Sequence, residues 1–234
     1  MTEPRAAGCP APRIGRRRPR SAATDENALI DRPDKAADDL ALRHAPSNRA
    51  QIVCHSACVP LSPSQVGDRV LVVGSGGAGK TTVARALAAR TGLPLIHLDA
   101  HFWRPDWEAT PPEAWRAKVR DLVARPQWVM DGNYSSTLDL RIPPADTIVF
   151  LDLPRRVTLP SVLARQLRWS GRVRPEMARG CRERVSIDFA RWLWRFPREG
   201  RQRLLDAIAV AGAEDRVITL RRRRAVRAWL TTLR

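Results

Sequence analysis

The residues with the plainest chemical purpose form one run, Gly74-Ser75-Gly76-Gly77-Ala78-Gly79-Lys80-Thr81-Thr82. Gly74, four residues, then Gly79, Lys80 and Thr81 complete the spacing of a P-loop. Glycines let successive backbone N–H groups converge on phosphate oxygens, and the helix after them offers its positive N-terminus. Lys80 then reaches the terminal phosphates, and the Thr81 hydroxyl is a ligand for Mg²⁺. The same letters hold a rival reading. Gly74, Gly76 and Gly79 also satisfy the dinucleotide fingerprint G-x-G-x-x-G, and Asp99 lies 20 residues past Gly79, where a ribose-binding acid would sit. Lys80-Thr81-Thr82, in place of apolar packing residues, favours the P-loop.

The flanking residues supply the elements that such a loop needs. Arg69 to Val73 is a β-branched apolar run ending at the glycines, the pattern of a buried parallel strand. Val83 to Arg90 keeps helical spacing, and Thr91-Gly92 stops it. Three further strands end at acids: Leu95 to Leu98 at Asp99, Trp128 to Met130 at Asp131, and Thr147 to Leu151 at Asp152. Ligands collect at such strand ends in open α/β sheets. In the kinase-like P-loop folds the third strand in sequence lies beside the first and supplies the second acid for Mg²⁺, which points to Asp131. Asp99 is then free to take the proton of an acceptor hydroxyl as general base. Thr110-Pro111-Pro112-Glu113 reads as a capping box ahead of a helix with Trp115, Val119, Leu122 and Val123 on its apolar face. His101 to Trp107 is an aromatic loop on the acceptor side, where Trp103 and Trp107 either pack or stack on a substrate ring. His97 reads as a hydrogen-bonded core residue. Gly132 marks a sharp turn after the third strand, with Asn133, Tyr134, Ser135 and Ser136 beside it.

Arginines dominate the C-terminal third of the chain. Val157 to Trp169 reads as a helix with Arg165 and Arg168 near its end, broken at Ser170 to Pro175 and succeeded by Arg179, Arg182 and Arg184. Arginines about a glycine break look like a lid closing over phosphates, with Arg168, Arg172 and Arg174 capping the transferred group. Ser186 to Phe196 is a Trp-rich helix in which Phe189, Trp192, Leu193 and Phe196 keep core spacing, so Trp192 and Trp194 read as structural. Arg216 to Leu220 is a last strand, and Arg221 to Arg224 opens a terminal helix, a run placed either to meet the nucleotide base and triphosphate or to bind nucleic acid non-specifically.

The formal net charge is +17, and Arg165 to Arg234 alone holds 19 arginines against seven acids. This charge implies a polyanion partner, either a nucleoside triphosphate or nucleic acid bound non-specifically through its phosphates. No window approaches the apolar length of a membrane span, and no apolar stretch succeeds the N-terminal arginines to make a signal peptide, so the chain reads as soluble and cytoplasmic. Cys9, Cys54, Cys58 and Cys181 are too few and scattered for a disulfide framework, and Cys54, His55 and Cys58 lack a partner pair at zinc spacing. Residues 1–65 are broken by prolines, hold no Phe, Trp or Tyr and show no sustained apolar period; they read as a disordered extension. Residues 66–234 suffice for one core.

Taken together the motifs resemble a bacterial P-loop family related to adenylate and cytidylate kinases, often labelled DNA topology modulation protein. The resemblance runs from about Val70 to Leu220 through GSGGAGKTT, LPLIHLDAHFW, WVMDGNYSSTLDLR, DTIVFLDLP, RWSGRVRPEMARGC and FARWLWRFP. It implies an ATP-binding domain of the nucleoside-phosphate kinase type, with Gly74 to Thr82 holding ATP and the arginines around Arg172 as its lid. Two departures stand out. No arginine sits beside Asp131 to clamp an acceptor phosphate, Arg141 being the nearest substitute, and the lid lacks the paired cysteines of a zinc site.

The expectation is therefore an α/β P-loop NTPase with a five-stranded parallel sheet flanked by helices. It would transfer the γ-phosphoryl group of ATP, with Mg²⁺, to a small nucleoside- or nucleotide-like acceptor. The alternatives are a nucleic-acid-associated regulatory ATPase and a nucleotide-binding protein without turnover. Residues 1–65 hold no methionine after Met1, so a translation start near Val66 on a non-AUG codon is a further expectation. Peptides from Thr24 to Arg43 in the mass spectrum of the native protein would exclude it.

Overall fold

A computed structural model describes residues 66–183 and 187–233. The readings placed on residues 1–65, and on Arg184, Ser186 and Arg234, lie outside the described residues.

Side chains alternate across a pleated strand, and here both phases are apolar, so the strands are covered on both faces. In β1 (Arg69–Gly74), Leu71 and Val73 enter one core while Val70 and Val72 enter another. The third and fourth long strands, β5 (Trp128–Asp131) and β6 (Thr147–Leu151), divide in the same way. Trp128, Met130, Ile148 and Phe150 join the first core; Val129, Val149 and Leu151 join the second.

Helices close each face. α1 (Lys80–Thr91), directly after the glycine loop, packs Val83, Ala84 and Leu87 into the second core beside Trp229 of α8 (Arg223–Thr232). α3 (Pro112–Val123) brings Trp115, Val119 and Leu122 to the first core, and α7 (Gly200–Val210) adds Leu204 and Ile208. The Thr110 capping box does not form. Pro111 occupies the cap with no side-chain bond, and Trp115 N–H bonds to its carbonyl at 2.8 Å, while the Thr110 hydroxyl donates to Phe102 O.

The sheet is parallel throughout, in the order β2 (Leu95–His97), β5, β1, β6, β7 (Val217–Leu220). β5 pairs with β1 as anticipated, and β2 lies outside it. A dinucleotide fold would have put the second strand beside the first, so this order removes the rival reading of the glycines. Asp131 closes β5 next to β1. Asp99 is not at a strand end, because β2 stops at His97 and Leu98 opens the short helix α2 (Leu98–Phe102), whose first turn carries it. A two-stranded ribbon, β3 (Trp103–Arg104) and β4 (Glu108–Ala109), comes next. The remaining helices are α4 (Leu138–Arg141), α5 (Arg155–Trp169) and α6 (Ile187–Arg195). No helix among the described residues is long and apolar enough to cross a membrane.

Candidate functional site

The glycine loop is held in a conformation that disfavours other residues at three points. Gly74, Gly77 and Gly79 have φ of 141°, 75° and 93°. At Gly77 a Cβ would lie 2.4 Å from Thr158 O and 2.7 Å from a Val162 methyl, so α5 packs directly against the loop. Gly79 caps α1, whose first turn has no acidic residue and no side-chain cap. Its first N–H groups are therefore available to an anion. Lys80 Nζ lies back across the loop and donates to Gly74 O at 2.8 Å and Ser75 O at 3.0 Å. Burial lowers its pKa to about 8, against the opposing pull of Asp99 and Asp131.

Behind the loop stands the turn after β5. The Asn133 amide pairs with the Gly74 peptide in both directions: Gly74 N–H donates to Oδ1 at 2.9 Å, and Nδ2 donates to Gly74 O at 2.6 Å. A side chain thus copies a backbone strand pair just where the β1–β5 ladder ends. Arg141 holds that turn from inside. It is fully buried, and its guanidinium donates to the carbonyls of Gly132, Asn133, Tyr134 and Thr137. Burial pulls its pKa below the usual arginine value, and the carbonyl oxygens offset that cost. Arg141 therefore does not substitute for an acceptor-phosphate clamp; its donors face the backbone.

Tyr134, at φ 37°, turns its hydroxyl onto Asp99 Oδ1 at 2.6 Å. Burial and the Asp99 charge push the phenol well above its ordinary pKa, so it donates and Asp99 accepts. Asp131 is only 5% exposed and receives the Nδ1 proton of His97 at 2.8 Å, which gives the histidine the supporting part expected of it. Asp152, the third strand-end acid, is taken by Arg201 at 3.1 Å and Arg221 at 3.4 Å. It serves the sheet edge rather than the site.

A cavity of about 620 Å³ opens over these groups. Its walls include Gly76 to Thr82, Asp99, Asp131, Asn133 and Tyr134. Trp103 and Trp107 line one end, and Ser161, Arg223, Val226 and Arg227 line the cavity from α5 and α8. Thr81 and Asp131 supply the hydroxyl and carboxylate that suit Mg²⁺, an ion completed by phosphate and water oxygens rather than by a protein cage. No group of three His, Cys, Asp or Glu converges among the described residues. Gly74 and Ser75 support the loop from beneath, outside the lining.

The lid arginines are only partly those expected. Arg174 is buried in the cavity wall, held by Glu183 at 2.7 Å and Glu176 at 3.1 Å. Burial opposes its charge, but Glu183, Asp99 and Glu176 outweigh burial and raise its pKa. Arg168 and Arg172 have exposed side chains and are absent from the lining. Arg168 sits at the end of α5, past the cavity, and Arg172 serves through its backbone, bonding to Trp169 O and Glu183 N–H. Arg165 takes the place of Arg168. It lines the cavity, and its guanidinium lies 5.7 Å from the Phe189 ring. Its Nε is buried without a hydrogen bond, the nearest carboxylate oxygen being Glu183 Oε1 at 3.5 Å. Trp192 also lines the cavity, with its ring and that of Phe189 against Gly76, so its apolar spacing marked a wall rather than a core.

The P-loop, the strand order and Asp131 beside β1 define a P-loop domain of the kinase type. No family model matches this chain, and no curated protein matches it. Among solved structures it is similar to a gluconokinase from Sinorhizobium meliloti 1021 (19% identity, 72% of this chain, 93% of that one, TM-score 0.40). It is also similar to a shikimate kinase from Acinetobacter baumannii in complex with shikimate (19% identity, 72% and 92%, TM-score 0.37). A third is a deoxyadenosine kinase from M. mycoides with bound dCTP (7% identity, 70% and 98%, TM-score 0.37).

This geometry sets two expected outcomes. Arg141→Met, which leaves the turn's carbonyls unpaired, is expected to lower unfolding free energy by about 3 kcal/mol in a urea titration. If Lys80 in its charged form is what pairs with phosphate, ATP affinity should hold steady below pH 8 and fall above it, by at most about tenfold per pH unit. Lys80→Arg should flatten that decline in a calorimetric pH series.

Proposed function

We propose that this protein is an ATP-dependent phosphotransferase acting on a small hydroxyl-bearing acceptor. The observation that carries the reading is the shared cavity: the P-loop from Gly76 to Thr82, the carboxylate Asp99 and the guanidinium groups of Arg165 and Arg174 all line it.

In this reading the loop N–H groups and Lys80 bind the β- and γ-phosphates, and the carbonyls of Gly74 and Ser75 release Lys80 when phosphate arrives. Thr81 and Asp131 would hold Mg²⁺, which when bound neutralises phosphate charge. Asp99, steadied by Tyr134, accepts the proton of the acceptor hydroxyl. The acceptor oxygen forms a bond to the γ-phosphorus as the bond to the bridging oxygen breaks, and the electron pair leaves with ADP. Arg165 stabilises the charge on the phosphoryl oxygens during transfer. Ser161, Arg223 and Arg227 are positioned for the nucleoside end.

The basic C-terminal charge is partly accounted for within the fold. Arg201 and Arg221 hold Asp152, Arg216 donates to Pro143 O and Ala145 O, and Arg223 donates to Ser161. These engagements support a nucleotide partner over a nucleic-acid face.

The test is Mg²⁺-dependent ATP turnover with a panel of hydroxyl acceptors. Lys80→Ala should lose at least about 100-fold in kcat/KM, and Asp99→Asn about 100-fold or more in kcat with ATP binding retained. Turnover that needs DNA and yields only free phosphate would instead identify a regulatory ATPase.

A further inference from the structure

Resting on the phosphotransferase reading, the acceptor itself can be narrowed by the charges that face it. One end of the cavity is built by Asp99, Tyr134, Trp103 and Trp107. Phe102 joins them, packing on Tyr134 at 4.7 Å and on Trp103 at 4.9 Å between ring centroids. Trp107 meets Trp103 edge-on at 5.3 Å. This end carries unusual backbone: Asp106 and Trp107 are consecutive non-glycine residues at φ of 61° and 64°. Such conformations are disfavoured for side-chain-bearing residues and persist where surrounding contacts enforce them. Here the Trp107 indole N–H is anchored to Arg182 O at 2.8 Å, so the strain is held in place to present this ring.

The cations near this end are spoken for. Arg141, the nearest arginine to the place of an acceptor-phosphate clamp, directs its donors into the backbone of the Asp131 turn. Arg174 lies between the buried Glu183 and the half-buried Glu176: Nε donates to Glu183 Oε2 and Nη1 to Glu176 Oε1. Glu176 also binds Arg85 of α1 at 3.1 Å, which ties this segment down on the P-loop helix. Arg165, by contrast, belongs to the donor side. It stands one turn beyond Val162 and two beyond Thr158, which touch Gly77, and over Phe189, which touches Gly76. A phosphate entering the aromatic end would bring about two negative charges next to Asp99, with no unmatched guanidinium among the described lining residues there to receive them.

We infer that the acceptor is an uncharged hydroxyl compound with a flat or ring body, seated on Trp103 and Trp107 with its hydroxyl on Asp99, and that Glu176 and Glu183 bar phosphate-bearing acceptors by neutralising Arg174. Asp99 Oδ2 takes no hydrogen bond from the described residues, so it is the oxygen that receives the hydroxyl proton. Trp103 is buried and packs edge-on against Phe102 and Trp107, so the half-buried Trp107 ring is the apolar surface open to the underside of a flat or cyclic polyhydroxy compound.

Calorimetry on the full chain, saturated with Mg²⁺ and a non-hydrolysable ATP analogue, tests this with paired probes: nucleosides and ring polyols, each beside its own monophosphate. The expected result is binding by the uncharged member of at least one pair, with affinity at least tenfold weaker for its monophosphate. Glu176→Gln should shrink that ratio by freeing Arg174, with Glu183→Gln as the second variant. A monophosphate that binds tighter than its parent overturns the proposal. So does silence from every pair while the ATP analogue still binds. A ratio unchanged in both variants overturns the role given to the carboxylates. Failure of the analogue itself to bind strikes the phosphotransferase reading, and the acceptor proposal falls with it.

Discussion

The site depends on one pairing, the Asn133 side-chain amide on the Gly74 peptide. Parallel strands β1 and β5 run together only as far as Asp131, because Gly132 at φ 132° bends the chain away. Without a substitute for the lost ladder, the Gly74 N–H at the end of β1 would be left unpaired. Asn133 supplies both donor and acceptor, and the buried Arg141 fixes Asn133 by holding the carbonyls around it. A buried guanidinium is tolerable only when its donors meet strong acceptors. The inward carbonyls of the turn meet that condition.

The same turn reaches the candidate base. Tyr134 comes directly after Asn133 and orients Asp99, while Asp131 just before it is steadied by His97. Four consecutive residues, Asp131 to Tyr134, therefore connect the nucleotide loop, the candidate metal ligand and the candidate base. A change at Arg141 is transmitted to all three although it touches none of the reacting groups.

Around this hub the electrostatics is nearly self-balancing. Lys80 sits among Asp99, Asp131, Arg165 and Arg174, and each cation has carboxylates or carbonyls within reach. Burial makes such arrangements costly when a partner is missing. That cost is met where the arginine-rich segment after α5 also carries Glu176 and Glu183, which pair with Arg174. Steric fit works alongside charge, since α5 and α6 press against Gly77 and Gly76 closely enough to exclude a β-carbon at the first of these.

The chain's linear order was enough for the P-loop, the parallel strands, the place of Asp131 beside β1 and the candidacy of Asp99, because these rest on local spacing and apolar runs. Arg165 and Arg168 were indistinguishable by type; only the packing of α5 on the loop decided which one reaches the cavity. Trp192 keeps core spacing and yet lines a wall, since periodicity reports an apolar face and not what lies against it. Asn133 and Arg141 gave no signal beyond ordinary turn and helix chemistry. Their roles come from backbone groups 59 residues away at Gly74 in the first case, and from a buried turn in the second. Residue type and spacing determine what a segment is able to do; which partners it meets is settled when distant segments share the same desolvated space.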